Sequence, residues 1–245
     1  MKEVLCVGTS DAFGAGGRRQ SAYLVRSGRG TVLVDCGETT SSGLAALGVS
    51  REEVDAILVS HFHADHFGGI PLFVLGSVYA DRRRRPLRVA GPPGIEDRVR
   101  RAASALGHPL DKQELRFPLR FEELRAEVAA EVGPVRVRAF ETNHSPDACP
   151  HGLVLEEGGR RLVYSGDTGW FDGLPRQAAG ADVFLCECTL EARGYEFHLS
   201  LEELAGRREA FRCHRFLITH LGAEMRARSD HAGFEVADDG MRIAL

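Results

Sequence analysis

The run His61-Phe62-His63-Ala64-Asp65-His66 puts four metal-capable side chains within six residues. It follows Ala56-Ile57-Leu58-Val59-Ser60, an apolar stretch with the length and composition of a buried strand. Imidazole nitrogens and carboxylate oxygens are the ligands zinc takes where no thiolate is offered. Alternating histidines followed by an Asp-His pair let a turning loop aim ligands at two neighbouring metals rather than one. The plain alternative is a polar loop that happens to be rich in histidine. Against it, His144, Asp167 and His220 each follow a strand-like run further along the chain.

The elements that must carry these residues alternate between strand and helix. Three strand-like runs, 4–8, 21–25 and 31–35, form an expected meander punctuated by glycines at 14, 16, 17, 28 and 30. A helix is expected over 40–47, another over 71–79, and an amphipathic one over 95–106 with apolar positions at Ile95, Val99, Ala102, Ala103 and Leu106. The second half reads as strands at 135–140, 152–155, 161–165, 182–186 and 215–219, with a helix over 201–211. Glu157-Gly158-Gly159 turns the middle pair into a hairpin, and Asp239-Gly240 predicts a final hairpin. Two mixed α/β halves with ligands at their strand ends place a site at the seam between them.

Composition sets the class around that site. A chain of 245 residues with net charge −4 can bury a sizeable core and has no global pull toward nucleic acid or anionic membranes. No apolar run approaches the length of a membrane span, and the N-terminus enters a strand at once, unlike a secretory leader. Cys6, Cys36, Cys186 and Cys188 sit within apolar runs, as reduced thiols of a cytoplasmic protein would.

Asp35, the His61–His66 motif, His144, Asp167 within Ser165-Gly166-Asp167-Thr168, and His220 after Thr219 resemble, in order, the five signature motifs of the metallo-β-lactamase fold. Gly8-Thr9-Ser10, the continuation His66-Phe67-Gly68-Gly69-Ile70-Pro71, and Glu187 followed by His198 resemble the ribonuclease Z and phosphodiesterase branch. The resemblance spans essentially the whole chain. It implies a single α/β domain over residues 1–245, an αββα sandwich of two mixed sheets flanked by helices.

It also implies a dinuclear centre, with zinc the expected metal and manganese or iron the alternatives. His61, His63 and His144 would hold one ion, Asp65, His66 and His220 the other, and Asp167 would bridge them, with Asp65 also counted among the catalytic residues. Asp35 would orient a ligand histidine from behind. Two divalent ions against two carboxylates and a bridging hydroxide leave a single positive charge. That suits a singly anionic phosphodiester attacked by the hydroxide.

In the same branch a Glu–His pair protonates the leaving oxygen, so Glu187 would orient His198 as general acid. The alternative is an ion pair for Glu187 and a helix start for His198. His151 is a candidate substrate contact, whereas His108, His214 and His231 carry no motif. The Arg82–Arg85 run could bind phosphate or simply be solvated, and Gly14–Gly17 reads as a flexible rim beside the metals.

Ribonuclease Z carries a transfer-RNA-gripping arm between the motifs matching His144 and Asp167, and only 22 residues lie between them here. A small cyclic or nucleotide phosphodiester is therefore expected over tRNA, and a nucleic-acid partner is not favoured. The alternatives are hydrolysis of a carboxylic ester, lactone or thioester, and, behind both, a non-catalytic binding role. A diiron redox role lacks the electron-carrying domain it needs. A homodimer is expected from the resemblance alone.

Overall fold

Alternation along the strands decides the layering. In β1 (Glu3–Gly8), Val4 and Cys6 pack to one side and Leu5 and Val7 to the other, and both sides are buried. A strand buried on both faces needs cover on each, and the computed structural model, which describes residues 1–245, supplies it. The first sheet continues through β2 (Ala22–Arg26), β3 (Thr31–Val34), β4 (Ala56–Leu58), β5 (Leu87–Gly91) and β6 (Leu119–Glu123). The second contains β7 (Ala129–Val132), β8 (Val135–Glu141), β9 (His151–Glu157), β10 (Arg160–Tyr164), β11 (Val183–Glu187), β12 (Arg215–Thr219) and β13 (Glu235–Val236). The last strand, β14 (Arg242–Ala244), returns to the first sheet, giving seven strands in each.

Both sheets are mixed. The first runs β14-β1-β2-β3-β4-β5-β6, antiparallel up to β3 and parallel beyond it. The second runs β13-β12-β11-β10-β9-β8-β7, parallel as far as β10 and antiparallel beyond. Their inner faces share one apolar layer that includes Val34, Leu58, Val137, Leu155 and Leu185. Helices α1 (Thr40–Ala46), α3 (Ile70–Tyr79) and α4 (Ile95–Ala105) cover the outside of the first sheet. Helices α5 (Leu174–Ala178), α6 (Leu201–Gly206) and α7 (Ala223–Ala227) cover the outside of the second. The one-turn α2 (Ala64–Phe67) lies between β4 and α3 and carries Asp65 and His66. The expected αββα sandwich is the fold observed.

Three local expectations need correction. The Asp239-Gly240 turn closes no hairpin, because β13 pairs with β12 while β14 pairs with β1 in the other sheet. Gly240 does adopt the left-handed conformation, and its N–H donates to the Cys6 carbonyl at 2.7 Å, so the turn carries the chain from one sheet to the other. The helix expected over 201–211 ends at Gly206 and resumes only as a single 3-10 turn at Arg208–Ala210. Arg83, within the basic run, is neither solvated nor free for phosphate. Its guanidinium is buried and donates to the carbonyls of Arg51, Val54, Arg85 and Pro86. Four carbonyls converging on one guanidinium explain an arginine inside the protein.

All six cysteines are free, and burial pushes the Cys6 and Cys36 thiols up to about 12. No helix is long and apolar enough to cross a membrane.

Candidate metal centre

Strand ends bring the candidate residues together. Asp35 follows β3, the His61–His66 loop follows β4, His144 follows β8, Asp167 follows β10, and His220 follows β12. Two clusters result, His61-His63-His144-Asp167 and Asp65-His66-Asp167-His220, with the potential ligand atoms of each within 4.8 Å of one another. These are the seven residues expected, in the expected grouping. Asp167 belongs to both. Its Oδ2 stands 3.8 Å from His61 Nε2, 3.9 Å from His144 Nε2, 3.3 Å from His66 Nε2 and 3.4 Å from His220 Nε2.

The chemistry of this donor set fits a pair of divalent cations. Asp167 Oδ1 and His66 Nε2 are buried without any hydrogen bond, although the carboxylates of Asp65 and Asp167 approach His66 Nε2 to 3.1 and 3.3 Å. Lone pairs that converge without pairing cost energy unless something else satisfies them. A cation does so.

Each inward-facing imidazole is also fixed from behind. His66 Nδ1 donates to Asp35 Oδ2 at 2.7 Å, His144 Nδ1 to the Phe197 carbonyl at 2.8 Å, and His220 Nδ1 to Thr189 Oγ1 at 2.9 Å. His61 Nδ1 lies 3.0 Å from Ser60 Oγ, which donates to Asp35 Oδ2 at 2.8 Å. Asp35 therefore reaches one histidine of each cluster. Tyr164 adds a hydroxyl to the same oxygen at 2.9 Å. His63 is the exception, presenting Nδ1 to His61 and His144. Such backing partners select the tautomer with a free Nε2 lone pair.

The backbone is strained where it serves the site. Asp35 and His220 both have positive φ, 58° and 55°, a region costly for residues other than glycine. Gly166, before Asp167, also has positive φ, and a Cβ there would stand 2.5 Å from the His151 carbonyl. Only glycine fits at that turn.

Electrostatics follow the crowding. Burial opposes ionisation of Asp167, but the His220 and His66 charges outweigh it and hold the carboxyl well below its usual range. Burial pushes His61 well below the ordinary imidazole value, and the neighbouring His66 adds to the effect. His198 moves the other way. Burial disfavours its charged form, yet the Glu187 carboxylate wins by charge and hydrogen bond and raises it to about 9.

Glu187 ends β11, wholly buried, and every lone pair it offers is used. Its Oε1 accepts from Thr168 N and His198 Nδ1, both at 2.8 Å, and its Oε2 accepts from Thr189 N and Oγ1. With Nδ1 committed to Glu187, His198 presents Nε2. Its ring lies 4.9 Å from that of His144 and 5.6 Å from that of His220. The pair is therefore beside the clusters, and neither an arginine partner for Glu187 nor a mere helix start for His198 describes it.

His151 is not brought to this wall. It is buried at the start of β9 with Nδ1 on the Cys149 carbonyl. His108 and His214 are exposed, and His231 bonds the Met225 carbonyl, all away from the clusters. Ser60, Thr189 and Tyr164 were not among the expected residues. Thr189 had a signal, since it stands two positions after Glu187 and so on the same side of an extended chain.

The loop bearing His198 is held by a close approach. Asn143 Nδ2 donates to the Glu196 carbonyl, and a Cβ on Gly169 would stand 1.7 Å from that same oxygen. Gly169→Ala should therefore displace the 193–198 loop at a cost of about 1–3 kcal/mol. Thermal unfolding checks this, and an unshifted Tm would show that the loop yields freely.

Residues 2–237 match the family described as Anti-Pycsar protein Apyc1. The chain belongs to that family. It is a member of the metallo-β-lactamase fold hydrolases, similar to ribonuclease Z from Mycobacterium tuberculosis strain H37Rv (31% identity over 192 residues, 76% of this chain and 68% of that one). A second ribonuclease Z, from Mycobacterium sp. strain KMS, is 29% identical over 275 aligned positions covering 100% of this chain and 96% of its own. That alignment is longer than this chain, so the relative has segments the family member lacks.

Among solved structures, the Bacillus subtilis metallo-β-lactamase fold protein YhfI aligns over 99% of both chains with TM-score 0.78 and 23% identity. The short form of human tRNase Z aligns over 98% of both with TM-score 0.76 and 24% identity. At these identities the likeness shows the fold. Fold, family and the His/Asp clusters together make the protein a metal-dependent hydrolase of ribonuclease Z kinship.

Proposed function

We propose that the protein hydrolyses a small phosphodiester, with a cyclic nucleotide the favoured substrate class. The observation that carries this reading is the pair of buried Glu187 and half-buried His198 set against the two clusters. A carboxylate-oriented imidazole is what an alkoxide leaving group needs, because that oxygen must gain a proton as the P–O bond breaks.

His61, His63, His144 and Asp167 would hold one ion, and Asp65, His66, His220 and Asp167 the other. Bound divalent ions offset phosphoryl charge and lower the pKa of a coordinated water to about 7. The remaining work belongs to the chain. Asp35 fixes His66 directly and His61 through Ser60, so Asp35→Asn should weaken metal affinity by about 10–100-fold. Competition with a chromophoric chelator would read the loss, and unchanged affinity would mean the bond is idle. Thr189 holds His220 and Glu187 through one hydroxyl. Glu187 favours the charged form of His198, which would offer Nε2–H to the leaving oxygen.

The preference for a small substrate rests on the β9–β10 hairpin. It fills the interval between His144 and Asp167 with two paired strands turning at Gly158-Gly159 and carries no protruding arm. Carboxylic ester, lactone and thioester hydrolysis is the competing reading, since the same cations would stabilise a tetrahedral oxyanion.

A panel of cyclic nucleotides, bis-p-nitrophenyl phosphate and lactones, offered to zinc- and manganese-supplemented protein, separates them. Turnover of lactone without turnover of any phosphodiester would overturn the proposal. The dimer expected from the resemblance is checked by sedimentation.

A further inference from the structure

The metal centre opens into a cavity of about 500 Å³, bounded in part by Phe13, Tyr195 and His198. A second cavity, of about 480 Å³, adjoins it. The two share Tyr195 and His198 and nothing else, and the second contains no candidate metal ligand. His198 thus lines the metal-side cavity on one side and the second cleft on the other. In a general-acid step the proton goes to the leaving oxygen, so whatever is bonded to that oxygen extends past His198 into the second cavity.

The lining of that cleft states what it would take. Trp170 and Tyr195 offer aromatic surface. The Arg207 guanidinium lies 4.5 Å over the indole of Trp170, and the Tyr195 ring stands 5.7 Å from His198. Arg193 and Glu203 offer a donor and an acceptor 3.4 Å apart. Glu203 Oε2 is committed to capping α6 through Ser200, which leaves Oε1 for Arg193 and a ligand. Glu196 also lines the cleft, so its carboxylates outnumber its one arginine. A second phosphate, as in an oligonucleotide, would meet those carboxylates. A neutral, flat heterocycle with N–H and carbonyl edges would not.

We infer that the cleft of Trp170, Arg193, Tyr195 and Glu203 is a nucleobase subsite for the nucleoside that carries the leaving oxygen of a substrate with one phosphate. This rests on the phosphodiesterase reading for its orientation, but base binding is measurable without turnover.

Trp170 is the only tryptophan in the chain, so its fluorescence reports on the cleft directly. Metal-supplemented protein would be titrated with adenosine and cytidine 5′-monophosphates and with ribose 5-phosphate. Saturable quenching is expected with the nucleotides, and their Kd should be roughly 5–150-fold below that of the sugar phosphate, the usual worth of stacking one base. Tyr195 and Arg193 are exposed loop residues, so Tyr195→Ala and Arg193→Ala should fold, and each should shrink that ratio. The same variants should raise KM for a 3′,5′-cyclic nucleotide more than for its abasic methyl riboside analogue. Equal Kd values for nucleotide and sugar phosphate, or equal KM effects on both substrates, would overturn the subsite and leave the phosphodiesterase reading standing. Selective nucleotide quenching in a protein that cleaves no phosphodiester would uphold base binding and sink that reading instead.

Discussion

His198→Ala should slow cleavage of a cyclic nucleotide by about 10²–10⁴-fold, the usual worth of general-acid help. An alkoxide is a poor leaving group without a proton, whereas p-nitrophenolate departs unaided. The same variant should therefore lose far less on a p-nitrophenyl phosphodiester, with metal content unchanged. Equal losses on both substrates would make His198 a structural or binding residue. Glu187 supplies a second handle. Its carboxylate favours the charged form of His198, so the acid form persists to higher pH than it would without that charge and is lost as pH rises further. Removing the charge in Glu187→Gln should move the alkaline limb of the kcat profile toward lower pH. Cations in the clusters oppose protonation of His198 in both proteins, so the difference between the two profiles is the quantity to read. A limb that stays in place would detach Glu187 from the proton.

Asp167→Ala should be the most damaging replacement at the clusters. One oxygen of this carboxylate faces four imidazoles drawn from both groups. Its loss leaves each group with three ligands and removes the negative charge that separates two cations. Elemental analysis of metal-supplemented protein should give two ions per chain for the wild type and fewer than one for the variant. A variant that kept both ions would show that Asp167 does not bridge.

The site was legible because chemistry is local in this chain. Six residues name four ligands, and each remaining ligand lies within three residues of a strand end. The layering was legible because strands with two apolar faces demand two covers. What the sequence hid was pairing over distance. The Asp239-Gly240 turn has hairpin chemistry, yet Ile243 is buried beside Val4, its partner in the first sheet, and that contact draws β14 away from β13. Arg83 looked like one of four equivalent arginines, and only the fold shows the carbonyls that converge on it. Ser60 and Tyr164 act through single hydroxyls on Asp35, which follows a different strand, so no spacing announces them. The nucleobase cleft escaped for the same reason, since Asn143, Trp170 and the 193–198 loop meet only in the folded chain.

These clusters, with Glu187 and His198, should together hydrolyse a phosphodiester. Phosphorus-31 NMR of a 3′,5′-cyclic nucleotide incubated with zinc- or manganese-supplemented protein tests it most directly. The cyclic diester resonance should be replaced by a single monoester resonance, and His63→Ala should abolish the change. A resonance that persists while the same preparation opens a lactone, or conversion that survives in His63→Ala, would contradict it.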